Sequence, residues 1–202
     1  HELTLSHREA RSALANLGVS ERFTSGTAQT VTNGTLASPS VFARLSGANQ
    51  PATFVTFGAP FTGFGTVTYS ANSLAAGTAT ATDLVDVAPA GEALDAATTG
   101  VYALRTAGNI TIGTGSSLNI GNGGLIMNPG TLNAPATISP ALVFGTGPAA
   151  SLLTEAIVYA ADTTGSSVLA GNVAARDFTK TGPGVLSLSG ASNVLNTNAV
   201  RL

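Results

Sequence analysis

Apolar and polar residues alternate with a period of two along most of this chain, in short runs bounded by Gly, Asn or Pro. The pattern is clearest after residue 108. Ile110 and Ile112 share one face of Gly108-Asn-Ile-Thr-Ile-Gly113, with Thr111 on the other. Leu118 and Ile120 repeat the arrangement in Ser117-Leu-Asn-Ile-Gly121. Leu125 and Met127 continue it after the Gly123-Gly124 turn, and Thr131-Leu-Asn133 follows Pro129-Gly130. Near the end Leu186 and Leu188 face one way, Ser187 and Ser189 the other. These runs predict strands with an inward aliphatic side. Their links are short enough for hairpins, and equally for the corners of a coil whose strands run round a prism.

Upstream the period is less regular. Thr30-Val-Thr32 precedes an Asn33-Gly34 turn signal, and Val41, Ala43 and Leu45 alternate with their neighbours before Ser46-Gly-Ala-Asn49. Thr53-Phe-Val-Thr-Phe57, Gly65-Thr-Val-Thr-Tyr69, Leu84-Val-Asp-Val87 and Val101-Tyr-Ala-Leu104 read as further strands, the last two separated by a loop containing Pro and Gly. One segment has helical spacing. Ser6-His-Arg-Glu9 fits a capping box, and Ala10, Ala13, Leu14 and Leu17 follow before Gly18. Leu3-Thr-Leu5, just ahead of it, is strand-like.

A short unit of this kind cannot seal its own apolar face and needs a similar unit above and below. Three strands of roughly five residues with short links make a coil of about 20–30 residues. The chain has room for on the order of eight such rungs, without a strict short period. The expected organisation is one β-helical segment over residues 1–202, with irregular rungs and long loops over 1–100 and more regular rungs over 101–202. His1-Glu2 at one end and Val200-Arg-Leu202 at the other read as entries into mid-fold, so a piece of a longer polypeptide is expected.

Charge narrows the functional classes. Charged residues are 9% of the chain, against about 25% in an ordinary soluble domain. Gly, Ala, Ser, Thr and Asn take their place, as sheet faces and tight turns require. A formal net charge of -2 with eight Lys and Arg supplies no basic stripe for nucleic acid. No apolar run approaches the roughly 18 residues of a spanning helix, so no membrane contact is expected within this segment. Without cysteine there is no disulfide framework, thiolate metal site or cysteine nucleophile.

One phrase carries a family resemblance. Phe178-Thr-Lys-Thr-Gly-Pro-Gly-Val-Leu-Ser-Leu-Ser-Gly-Ala-Ser-Asn193 resembles the autotransporter-associated β-strand repeat, with its Lys-x-Gly-x-Gly core, alternating Leu strand and Gly-x-Asn ending. Lys180, Gly182, Gly184, Leu186, Leu188, Gly190 and Asn193 hold the match, and Ser192 makes the ending one residue longer than the common form. The stretch 101–172 is similar to the rungs that lead into such repeats, while the first half matches only in style. The resemblance implies a right-handed parallel β-helix, exported to the bacterial cell surface or beyond, acting as a passenger stalk or adhesin-like scaffold.

Chemistry is sparse. His1 and His7 are the only histidines, and no Gly-x-Ser-x-Gly elbow accompanies them. The aspartates Asp83, Asp86, Asp95, Asp162 and Asp177 are dispersed, as are the glutamates. In a strand over residues 84–87, Asp83 and Asp86 fall on opposite faces and do not converge as a glycan-cleaving pair would. Gly121-Asn-Gly-Gly124 lacks the following aspartate of a calcium-binding repeat, and Gly113-Thr-Gly115 and Gly145-Thr-Gly147 lack the Lys-Ser/Thr ending of a phosphate loop. Phe54, Phe57, Phe61 and Phe64 are the one aromatic concentration: core or cap packing, or, through Phe61 and Phe64, a contact patch. Lys180, the sole lysine, reads as a solvated turn residue.

The expectation is therefore an all-β, right-handed parallel β-helix (solenoid) with a short N-terminal helix possible. It would serve as a structural or adhesive stalk segment with no catalysis, no cofactor and no metal. Its partners would be neighbouring rungs, a host or matrix glycan or protein, or other copies of itself. The alternatives are a fragment of a β-helical polysaccharide lyase or hydrolase, and a subunit of a self-assembling extracellular filament.

Overall fold

A computed structural model describes residues 31–32, 35–36, 42–44, 51–58, 63–95, 98–113, 117–121, 124–128, 135–146, 152–195 and 200–201. Every regular element among them is a β-strand. The helix expected over 6–18 and the strand expected over 3–5 lie outside the described residues.

The first strands pair antiparallel. β1 (Val31–Thr32) meets β2 (Thr35–Leu36) on either side of Asn33-Gly34, where the turn signal stood. β3 (Phe42–Arg44), β4 (Ala52–Gly58) and β5 (Gly63–Thr66) form a sheet in that order.

From residue 84 the chain coils. β6 (Leu84–Val87), β7 (Glu92–Leu94) and β8 (Thr98–Val101) make one circuit, each strand in a different sheet. β9 (Ala103–Thr106), β10 (Ile110–Ile112) and β11 (Ser117–Ile120) stack on it. Next come β12 (Gly124–Met127), β13 (Thr137–Ile138) and β14 (Ala141–Thr146), with β15 (Leu152–Leu153) folded back antiparallel on β14. β16 (Glu155–Ala160), β17 (Ser166–Leu169) and β18 (Val173–Ala175) follow, then β19 (Asp177–Thr181), β20 (Val185–Leu188) and β21 (Val194–Leu195), and β22 (Val200–Arg201) re-enters the first sheet. All pairings along the three stacks are parallel. The molecule is a parallel β-solenoid.

Register advances 19 residues from Val85 to Leu104, 21 to Leu125, 33 to Val158 and 22 to Lys180. The long step holds β15. Inside, Val85, Leu104, Leu125 and Val158 stack in one column, and Ile110, Ile138 and Leu169 in another, all members of one buried core. Fully burying each such side chain contributes roughly 1.5–3 kcal/mol. Leu74, fully buried, plugs the coil beneath β6, where Ala71 bridges to Val85.

Two sequence expectations are corrected. Ile112 does not join Ile110 in the core: Ile110 is 0% exposed and Ile112 is 55% exposed. On the next rung β13 ends at Ile138, opposite Ile110, so no paired residue covers Ile112 before the chain turns. The span read as a Pro/Gly loop ahead of Val101 holds β7 and β8, and the strand read as Val101-Tyr-Ala-Leu104 is two strands meeting at a corner on Tyr102. A tyrosine corner gives no turn signal, because its reason is packing rather than backbone freedom.

The first sheet is covered on both sides. Its outward residues Leu84, Ala103, Ile126 and Tyr159 form a second buried cluster with Ala52, Phe54 and Val67. Phe42 packs at 5.3 Å from Tyr159 and 5.7 Å from Phe54, ring centre to ring centre. The antiparallel sheet thus lies against the outside of the solenoid.

Candidate functional site

The repeat phrase is the natural starting point, and each of the seven residues that hold its match bonds or abuts another rung or its own turn. Lys180 is in register with the core residue Val158, and its ammonium turns aside to donate to Gly182 O at 2.7 Å. It is half-buried, with its charge on a turn carbonyl, as an amphipathic side chain leaving a core column must be. Gly182 has φ +84, and a Cβ there would stand 2.4 Å from Ala160 O on the rung beneath. At Gly184 the same atom would stand 2.4 Å from Asp162 O, and at Gly190 2.4 Å from Gly171 O. Glycine is required here because consecutive rungs stack only about 4.7–4.9 Å apart. Leu186 and Leu188 pack half-buried against the core. Asn193 accepts from the Val173 amide at 2.9 Å and donates to Gly190 O at 3.2 Å. Asn172 returns the contact, accepting from the Ser192 amide at 2.9 Å. The motif is a device for joining rungs.

The carboxylates are likewise engaged. Asp83 accepts from the Thr80 hydroxyl (2.7 Å) and amide (2.8 Å) and from the Ser70 hydroxyl (2.8 Å), and these bonds, Thr80's hydroxyl first, hold its pKa below the ordinary 3.8. Glu92, in register with buried Ile110, accepts from the Ser73 hydroxyl and from the Leu74 amide at 2.8 Å, while Asp95 accepts from the Ala76 amide at 2.7 Å. These three acids fasten the segment carrying the Leu74 plug. Glu155 accepts from Thr179, Asp162 from Thr164, and Asp177 pairs with Arg176 at 2.9 Å. Asp83 and Asp86 have separate partners and do not converge. No group of three or more His, Asp or Glu able to hold a metal occurs among the described residues. His1, His7, Glu2 and Glu9 lie outside them.

One polar cluster escaped sequence reading. Arg105 grips Asp86 on the neighbouring rung through two hydrogen bonds, its Nε donating at 2.7 Å. The guanidinium lies 4.2 Å from the centre of the Tyr69 ring, and Nη1 donates to Ala52 O at 3.4 Å. Tyr69 OH shares a hydrogen bond of 3.1 Å with Thr53 Oγ1. Burial opposes the Arg105 charge, but the bonds to Asp86 and the nearby Tyr69 outweigh it, and its pKa is raised. Burial raises the Tyr69 pKa above 10.0, against the opposing pull of Thr53 and Arg105. All three tyrosines of the chain, Tyr69, Tyr102 and Tyr159, border this seam between solenoid and antiparallel sheet. The available signal was spacing: Asp86 and Arg105 are 19 residues apart, the rung length at that point.

Of the phenylalanine patch, Phe54 is buried at the seam, and Phe57 pairs with Phe64 across β4 and β5. Phe61 lies outside the described residues. No helix among the described residues is long and apolar enough to cross a membrane. The chain matches no family model, no curated protein and no solved structure.

Proposed function

We propose that this chain is a structural and adhesive stalk segment of a bacterial cell-surface or secreted protein, built like the passenger of an autotransporter. The observation that carries the reading is the use of its polar chemistry. Every described carboxylate accepts a hydrogen bond, and all but Asp177, which pairs with its chain neighbour Arg176, fasten a turn, the Leu74 plug segment or a neighbouring strand, while the repeat residues knit rung to rung. A scaffold needs this allocation, whereas a glycan-cleaving site needs carboxylates left free to face a substrate. Ser, Thr, Asn and small aliphatic residues on the outward faces suit contact with a neutral glycan, a matrix protein or another copy of the chain.

Immobilised protein presented to extracellular-matrix proteins and to neutral and acidic polysaccharides tests this. Retention without cleavage is expected. Appearance of new reducing ends or unsaturated uronates, abolished in Asp86→Asn or Asp83→Asn, would replace the stalk with an enzyme.

A further inference from the structure

The two ends of the solenoid are finished differently. On the first rung Val87, Leu94 and Val101 are at most 2% exposed and share one core with Leu74, the plug beneath them. Asp83, Asp86, Glu92 and Asp95 gather on that rung, and residues 83–101 contain no Lys or Arg.

The rung of β20 and β21 has no described cover. β20, β21 and β22 are each the last strand of their sheets. Leu186, Leu188 and Leu195 point into the core yet are only half-buried. Ser189 donates downward to Leu169 O at 3.0 Å. The alternation along a strand therefore turns the amides and carbonyls of Leu186 and Leu188 upward, where no described strand pairs them. Val185 and Val194, each 57% exposed, stand on the rim, two of the four large apolar side chains exposed among the described residues. Residues 182–195 carry no charge, and their one proline, Pro183, lies in the turn ahead of β20. The edge thus lacks the charges and in-strand prolines with which sheet proteins blunt a bare edge.

We propose that this end docks against the same end of a second copy, tail to tail. The face continues the rung-to-rung contacts below it, with strand edges round an aliphatic centre, and the surface that matches it is another such end. The first-rung end is no counterpart: Leu74 fills it, and its acids would lose water against a neutral apolar face. A two-fold axis across the solenoid sets the twin's strands antiparallel to those they meet, a pairing at least as stable as the parallel ladders. It brings no like charges together and closes the assembly at two copies. Strands this short make a contact at the small end of specific interfaces, so the dimer dissociates on dilution.

Sedimentation velocity over a concentration series is the test. Wild-type protein should pass from one chain to two and go no further. Val185→Lys combined with Val194→Lys, both at exposed positions, should hold it at one chain with its circular dichroism unchanged. Ile112→Lys, at an equally exposed apolar position on the second rung, should leave dimerisation intact. The chain has no cysteine, so a spin label can be placed at Ala191→Cys on the docking rung or at Thr78→Cys in the plug segment, both exposed. The intermolecular distance should be the shorter at Ala191→Cys, and the reverse order would overturn the proposal. So would a single chain at every concentration, since the end would then be covered by residues of its own chain. Growth beyond two chains, or a dimer that survives the paired lysines, would do the same.

Discussion

Ile110 and Ile112 differ by two positions and by everything that matters energetically. Ile110 is sealed between Glu92 below and Ile138 above, while Ile112 has only Leu94 in register beneath it. Ile110→Ala should therefore cost about 2–5 kcal/mol, and Ile112→Ala no more than about 0.5 kcal/mol. Urea denaturation compares them, and equal losses would contradict the assigned faces. Glycine offers a parallel contrast. Gly77 and Gly182 both have positive φ, but a Cβ at Gly77 would meet nothing within 4 Å and at Gly182 would meet Ala160 O at 2.4 Å. Alanine at Gly77 should cost only the left-handed backbone penalty, about 1–2 kcal/mol. At Gly182 the clash adds to it, so a clearly larger loss is expected. Similar losses would mean that rung spacing does not depend on that glycine.

At the scale of elements, alternation predicts a strand well when one face is dry and the other wet. Leu84–Val87 is read from the sequence with its observed bounds, and Ser117–Ile120 with its observed inward pair. Gly124–Met127, buried throughout, carries an additional residue: Ile126 has outward parity yet is 0% exposed because the antiparallel sheet covers it. Parity alone cannot reveal that cover, since it depends on residues more than fifty positions away. The Arg105 seam is hidden for the same reason and becomes visible only once rung length is known. Its worth is measurable. A double-mutant cycle of Arg105→Ala with Asp86→Ala should return a coupling of about 0.5–3 kcal/mol, and zero coupling would reduce the pair to decoration. The seam also carries an alkaline signature. The folded Tyr69 pKa lies above the ordinary 10.0, so its contribution is complete below that pH and declines as pH rises through the folded value. Tyr69→Phe should flatten the alkaline loss. Asp83 has the opposite sign: its folded pKa lies below 3.8, so its contribution is present above that pH and lost as pH falls through the folded value. Asp83→Asn should flatten the acid limb.

On the scale of the whole molecule, two kinds of cohesion meet. The solenoid is nearest-neighbour: each rung is held by the one above and below through parallel ladders, corner glycines and the Asn172 and Asn193 cross-links. The antiparallel sheet attaches sideways, through Phe54, Val67 and the Arg105 seam, to the outer face of the first sheet. The repetitive half was legible in the sequence because its stability is local and renewed every rung; the lateral half was not, because its contacts answer to the solenoid rather than to their own period. The two should separate experimentally. Deleting residues 1–66 leaves the plug segment and every parallel pairing of the solenoid in place, so the far-ultraviolet signature of stacked strands should survive. It also uncovers Leu84, Ala103, Ile126 and Tyr159 as one outward apolar stripe, and exposed stripes of that kind drive association. The truncated chain should bind a hydrophobic dye and elute larger than a monomer. Substituting Ile126→Ser in the truncated form should reduce both effects, since it polarises the middle of the stripe. Loss of the strand signature on truncation would mean that the solenoid depends on its side sheet for folding, and that stacking alone does not hold it.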